Sequence, residues 1–184
     1  MSRLTVYAES NPSTPQFDTT DGAEIATALQ AIQVRFERWR ASQPLSKDTT
    51  DQAILDAYRS DIERLNADCG YQSVDVLRCL PDNPQRQELR RKFLDEHTHD
   101  DDEVRFFVEG AGVFYLRAAG KVYVTLCERG DLLSVPAGTR HWFDMGPAPH
   151  FTAIRLFTTP AGWVAKFTGD AIAQRFPAFE KIAA

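Results

Sequence analysis

Residues 97–141 read HTHDDDEVRFFVEGAGVFYLRAAGKVYVTLCERGDLLSVPAGTRH. Two short motifs bracket this stretch: His97-Thr98-His99-Asp100-Asp101-Asp102-Glu103 at its start, and Gly130-Asp131-Leu132-Leu133-Ser134-Val135-Pro136-Ala137-Gly138-Thr139-Arg140-His141 at its end. They hold three of the chain's four histidines. From residue 97 onward the segments HTH, EVRFFVEG, GVFYLR, KVYVTLC, DLLSVP, HWFDMG and HFTAIRLFT are short and rich in β-branched and aromatic residues. Gly, Pro or Asp turns divide them. Strands spaced this closely predict a barrel or a double-sheet sandwich.

The first motif has a geometric requirement. Residues two apart on a strand face the same way, so His97 and His99 can present both imidazoles to one point. Glu103 shares their parity, but six residues at about 3.3 Å each put it roughly 20 Å from His97 on a straight strand. No ion bridges that distance. The chain must therefore reverse between His99 and Glu103, and Asp100-Asp101-Asp102 suits a turn. In the second motif, Pro136-Ala137-Gly138 makes a tight bend in which Gly138 is free to take positive φ. His141 then opens the next strand and enters the barrel as a fourth ligand. Three neutral imidazoles and one carboxylate suit a borderline divalent ion such as Fe, Ni, Mn, Cu or Zn. A structural zinc site more often uses thiolates and closes all four positions. Four ligands on an octahedral ion leave two positions open for a bidentate substrate. The fourth histidine, His150, lies between Pro149 and Phe151, matches neither motif and is expected at the surface.

Upstream, Ile25, Leu29, Ile32, Phe36 and Trp39 recur at steps of three and four, predicting a helix from an Asp21 N-cap. Ile54, Tyr58, Ile62 and Leu65 predict a second helix across 50–67, stopped by Gly70. Residues 2–8 suit a short strand, and Pro12 and Pro15 a loop. YQSVDVLRCL, residues 71–80, reads as a strand. PDNPQRQELRRKFLDE reads as a short helix capped by Asp82 or Asn83, with Pro84 in its first turn and Leu89 and Phe93 facing inward. A further short helix is expected near 170–176. The expected architecture is thus one domain over 1–184: a helical part (1–73) packed outside a β-barrel (74–162), then a C-terminal segment (163–184).

Composition narrows the function classes. The chain has 184 residues, 43% hydrophobic and 26% charged, with a net charge of −5. That is ordinary for a globular domain. The negative balance and the lack of a basic stripe argue against nucleic acid. No apolar run is long enough to span a bilayer, and MSRLTVYAESNPSTP lacks the apolar core of a secretory signal. A cytoplasmic location is expected. Cys69, Cys79 and Cys127 are scattered and lack C-x-x-C spacing, so buried reduced thiols are expected rather than disulfides or a thiolate metal site.

The two motifs are similar to the paired signatures of the cupin superfamily. H-x-H-x3-E-x6-G is completed by Gly110. G-x5-P-x-G-x2-H is met by Gly130, Pro136, Gly138 and His141. Arg91 and Met145 stand where a Gly and an Asn are often found, both turn or packing positions. The stretches EHTHDDDEVRFFVEGAGVFYLR, DLLSVPAGTRHWFDMG and FTAIRLFTTPAGWVAKFTGD resemble more specifically the acireductone dioxygenase family. That resemblance implies a cupin-type double-stranded β-helix, or jelly roll, that binds one Fe(II) or Ni(II) ion. It implies oxidation of 1,2-dihydroxy-3-keto-5-methylthiopentene by O2 in methionine salvage. With Fe(II) the products would be formate and the 2-keto acid precursor of methionine. With Ni(II) they would be carbon monoxide, formate and methylthiopropionate. A monomer is implied too.

Such a substrate reacts with O2 as an electron-rich dianion, which nearby positive charge favours. Arg105 shares parity with Glu103, and Arg155 alternates with Ile154 and Leu156, so both are candidates to face the cavity. The plainer alternative for each is an ion pair with a local carboxylate. The resemblance gives Arg105 a part in forming the dianion, Glu96 a part in metal loading and Asp102 a part in relaying conformational change. Phe93, Phe107, Phe143 and Trp163 are candidates to wall the methylthio tail, unless they are plain core. Two other classes remain open, another mononuclear cupin enzyme such as a sugar-phosphate isomerase, and a sensing cupin without chemistry. The latter usually carries a DNA-binding domain, for which the N-terminal helices show no basic recognition face.

Overall fold

A computed structural model describes residues 1–160 and 164–183, with Asp68 described by its backbone alone. Its strands form two antiparallel sheets that share one strand. β6 (Glu103–Ala118) runs for 16 residues. Its first half pairs with β8 (Asp131–Val135) and β10 (Phe151–Phe157). Its second half pairs with β7 (Lys121–Glu128) and β9 (Arg140–Asp144). The change of sheet falls at Gly110, where φ is +67° and an added Cβ would sit 1.7 Å from the carbonyl oxygen of His150. Only glycine fits both conditions. β3 (Arg35–Arg38) and β4 (Ser73–Cys79) complete the first sheet on β8 and β10. The second contains β1 (Arg3–Ala8), β2 (Asn11–Thr19), β5 (His97–Thr98) and β11 (Lys166–Phe167), in the order β11-β5-β9-β6-β7-β1-β2. The mainly β, jelly-roll expectation holds.

Alternation along the strands sorts the buried apolar side chains of the described residues into three clusters. The first draws on both sheets, including Phe107, Leu133, Phe114 and Phe143, and so fills the lumen; Ile25 and Leu29 of α1 (Gly22–Gln30) join it. The second lies outside one sheet, where Ile172, Phe176 and Ile182 of the C-terminal segment cover Tyr115, Val124 and Trp142. The third lies outside the other sheet, where Ile54, Tyr58 and Leu65 cover Val104, Phe106 and Ile154. These belong to α2 (Asp51–Ala57), α3 (Arg59–Cys69) and the residue joining them. α2 and α3 therefore pack outside the barrel as expected, whereas α1 contributes to its interior.

Several local expectations need correction. The N-terminal part is not simply helical: it supplies β1, β2 and β3 to the two sheets. Pro12 and Pro15 lie inside β2 rather than in a loop. Among the described residues β2 pairs only with β1, and an edge strand tolerates the missing N–H groups. α1 begins at the Asp21 cap, whose carboxylate accepts from the Ala23 and Glu24 amides, but it stops at Gln30. Gln33 turns the chain at φ +62°, and Phe36 reaches the core from β3. The helix expected over 50–67 is two helices broken at Tyr58, with Gly70 ending the second at φ +66°. α4 (Arg86–Leu94) starts later than its proline suggests. Neither Asp82 nor Asn83 is its N-cap, although Asn83 accepts from the Gln85 amide. The short helix expected near 170–176 is present as a 3-10 helix, Ala171–Arg175, capped by Asp170. Cys79 and Cys127 are buried, but Cys69 is exposed. No helix among the described residues is long and apolar enough to cross a membrane.

Candidate metal centre

The two motifs meet because β5 lies against β9, with His97 directly opposite His141. The ligand nitrogens of His97, His99 and His141 all fall within 4.8 Å of one another. The three rings are 2–4% exposed. Each Nδ1 faces a backbone carbonyl: Asp95 at 2.7 Å, Val164 at 2.6 Å and Thr139 at 2.8 Å. A carbonyl only accepts, so each Nδ1 carries the proton. Each Nε2 therefore keeps its lone pair for a shared point, which is how metal-binding histidines are held.

Glu103 completes the cluster from the start of β6. Its Oε2 lies 3.2 Å from His99 Nε2 and 3.7 Å from His141 Nε2. Glu103 Oε2 and His141 Nε2 are buried and have no hydrogen-bond partner among the described residues. Orphaned polar atoms cost free energy unless something takes their lone pairs, and a divalent cation does. The donor set fits such an ion. The electrostatics of His97 and Glu103 agree. Burial, then the neighbouring His141, lowers the His97 pKa to about 3, so this imidazole is neutral at neutral pH. Burial would raise the Glu103 carboxyl, but Arg105 and the two histidines hold it well below the carboxylate range. Burial also opposes protonation of His99, and the Glu103 carboxylate outweighs it and raises that imidazole.

Arg105 lies next to this cluster, 2% exposed. Its Nη2 donates to Glu103 Oε1 at 2.5 Å, and its guanidinium is 4.7 Å from the Phe114 ring centre and 4.5 Å from that of Phe143. Nε and Nη1 have no hydrogen-bond partner among the described residues. Arg155 stands directly opposite Arg105 across the β6–β10 pairing, hence on the same face. It forks onto Asp75 of β4 at 2.8 and 2.7 Å. The local ion pair considered for this arginine is thus present, and its charge still presses on Arg105.

A family model described as the ARD/ARD′ family matches residues 3–165. The chain belongs to that family. An acireductone dioxygenase of Parvibaculum lavamentivorans is 63% identical over 180 residues, covering 98% of each chain. One from Xanthomonas euvesicatoria is 56% identical over 179 residues, covering 97% of this chain and 95% of that one. Among solved structures, acireductone dioxygenase from Bacillus anthracis, with a cadmium ion in its active centre, matches with a TM-score of 0.80 at 31% identity. That match covers 91% of this chain and 98% of the other.

Other residues singled out in this ARD/ARD′ chain are placed as follows. Glu96, which precedes His97 in the chain, is buried, and Arg117 donates to both its oxygens at 3.0 and 2.9 Å. Arg117 also pairs with Glu9 and with Asp170. Asp102 accepts from the Ala137 amide at 2.7 Å. Phe107 and Phe143 lie in the lumen, and Phe93 of α4 meets Phe143 edge-on at 6.3 Å. Trp163 lies outside the described residues. His150 is exposed, as expected, 3.7 Å from Glu109.

Sequence reasoning missed Phe114 and Phe151, which pack on Phe143 at 4.9 and 5.5 Å. It also missed Arg117 as the partner of Glu96. From the residues themselves the three aspartates suggest only a turn, and the family resemblance adds a relay part for Asp102 alone. In this ARD/ARD′ chain they reach three different segments: Asp100 to Lys166, Asp101 to Thr158 and Thr159, and Asp102 to the second motif.

Proposed function

We propose that this chain oxidises 1,2-dihydroxy-3-keto-5-methylthiopentene with O2 in methionine salvage, with His97, His99, Glu103 and His141 holding one Fe(II) or Ni(II) ion. The observation that supports this most is the convergence of three Nε2-presenting imidazoles, with Glu103 against two of them, beside a buried arginine. The family membership agrees with it. When bound, the ion supplies Lewis-acid charge that favours the ionised enediol and brings it together with O2. On this reading the Fe(II) form yields 4-methylthio-2-oxobutanoate and formate. The Ni(II) form yields methylthiopropionate, formate and CO.

Arg105 has the chemistry to hold the substrate as a dianion. Nε and Nη1 have no hydrogen-bond partner among the described residues, and a guanidinium forks onto adjacent oxygens. Burial pulls its pKa down and Glu103 pulls it up, but a guanidinium is a poor proton acceptor at neutral pH. Its role is electrostatic. Arg155, fixed by Asp75, adds positive charge on the same face. Phe93, Phe107, Phe143 and Trp163 would wall the methylthio tail and exclude water. Glu96 would assist ion loading, and Asp102 would pass movements of the first motif to the second. The reading extends to a cytoplasmic monomer.

The test is to strip the protein of metal, reload it with Fe(II) or Ni(II) without air, and assay both forms aerobically on the acireductone. Each should hold one ion per chain and consume O2, and only the nickel form should release CO. Failure of both forms to consume O2 overturns the activity. His99→Ala should lose the ion while keeping its far-UV circular dichroism spectrum, and full metal content in that variant overturns the ligand set.

A further inference from the structure

The reversal between His99 and Glu103 has to be held somewhere, and one carboxylate between them is unusually engaged. Asp101 is 7% exposed. Its Oδ1 accepts from the Thr158 amide at 2.9 Å and from the Thr158 hydroxyl. Its Oδ2 accepts from the Thr159 amide at 2.8 Å and the Thr159 hydroxyl at 2.9 Å. Both threonines follow β10 directly, and Phe157, the last residue of β10, is opposite Glu103, the first of β6. Continued backward, that register would set Asp102 against Thr158 and Asp101 against Thr159. The backbone ladder does not continue. The Asp101 side chain takes the two amide hydrogens instead.

We infer that Asp101 is a positioning residue for the metal ligands. By substituting its carboxylate for the ladder, it ends the β6–β10 pairing at Glu103 and releases residues 99–102 to turn. Glu103 is thereby set at the first paired position, facing the histidines. Neighbouring contacts do separate work: Asp100 pairs with Lys166 at the exposed edge, and Asp102 reaches the second motif. Among the described residues, Asp101 is the turn aspartate that ties the reversal to the end of β10, the strand opposite Glu103 in that register. An amide cannot replace it, because one oxygen would become an NH2 group facing two donors.

The inference rests on the four-ligand reading, and one experiment separates the two. Ni(II) affinity is measured by calorimetry for the metal-stripped parent chain, Asp101→Asn, Thr158→Val/Thr159→Val and Thr158→Ser/Thr159→Ser. Co(II) absorption reports the ligand field, and far-UV circular dichroism with a thermal melt reports folded protein. Asp101→Asn should stay folded, bind Ni(II) roughly 10- to 100-fold more weakly, as loss of a partner that orients ligands does, and show an altered Co(II) spectrum. The valine pair, which keeps the two amide donors, should lose less, and the serine pair should match the parent. Parental affinity and spectrum in Asp101→Asn overturn the inference. So does a loss of affinity that only tracks loss of folded protein. If Asp101→Asn does not fold, parental affinity in the valine pair overturns it. A parent chain that takes up no Ni(II) overturns the ligand reading instead.

Discussion

Arg105 donates to Glu103 over 2.5 Å, from two residues further along the same strand. The i, i+2 spacing puts both side chains on the lumen face. The pairing keeps Glu103 ionised and leaves Nε and Nη1 of the guanidinium without a hydrogen-bond partner among the described residues. Arg105→Met removes that charge while roughly keeping the length. Its kcat/KM on the acireductone should fall by roughly 100- to 1000-fold, the usual loss for one preorganised donor to a developing anion. Nickel content at saturating metal should stay at the parental level. Steady-state O2 uptake and elemental analysis check this, and unchanged kcat/KM would remove Arg105 from the chemistry.

The metal-stripped protein should be acid-sensitive because of His97. Its pKa is lowered from 6.5 to about 3 in the fold. Between those values the unfolded chain takes a proton that the folded chain refuses. Stability from this group is therefore intact above pH 6.5, falls as pH falls toward 3, and changes no further below. The slope is about 1.4 kcal/mol per pH unit, or roughly 2 kcal/mol between pH 6.5 and 5. Urea unfolding of the stripped parent and of His97→Gln at several pH values checks this. The variant's curve should be flatter by that amount, and parallel curves refute the assignment.

Glu96 has a fully buried carboxylate that depends on Arg117, itself 14% exposed. Arg117→Met strands that charge and should cost about 2–4 kcal/mol, a little less than breaking a wholly buried pair. Adding Glu96→Gln should recover part of the loss. Urea midpoints of the two single variants and the double variant give the coupling. Simple additivity would mean that the ion pair contributes little.

Two glycines with positive φ should respond differently to alanine. At Gly138 a new Cβ meets nothing within 4 Å, so only the backbone conformation resists, at about 1–2 kcal/mol. At Gly110 the same strain adds to a collision with a backbone carbonyl that has no room to yield, and the loss should exceed about 3 kcal/mol. Thermal melts rank the two, and equal losses contradict the close approach.

The motifs made His97, His99, Glu103 and His141 legible because strand parity and the need for a reversal are local properties. Turn-punctuated β segments likewise announced a barrel. What stayed hidden depends on partners distant in sequence. Nothing near Gln33 signals its positive φ, so the helical spacing of Phe36 and Trp39 was read through a turn into a strand. The prolines of β2 are tolerated only because that strand lies at an edge, which its own residues do not state. Phe114 escaped for a subtler reason. Up to Phe107 the odd-numbered residues of β6 face the lumen, but past the irregularity near Gly110 the even-numbered ones do. Parity counted from Glu103 therefore points the wrong way. Asp101 looked like its neighbours, because the threonines that distinguish it lie 57 and 58 positions away.

The strand common to both sheets has a mechanical consequence. Two separate layers of a sandwich can slide past one another by small shear steps. Here a covalent backbone passes from one layer to the other at Gly110, and its two halves carry Glu103 at one end and the pairing with β9, hence His141, toward the other. Relative sliding of the layers would have to bend that common strand and shear its ladders, so the carboxylate and that imidazole hang from one continuous backbone rather than from two independent layers.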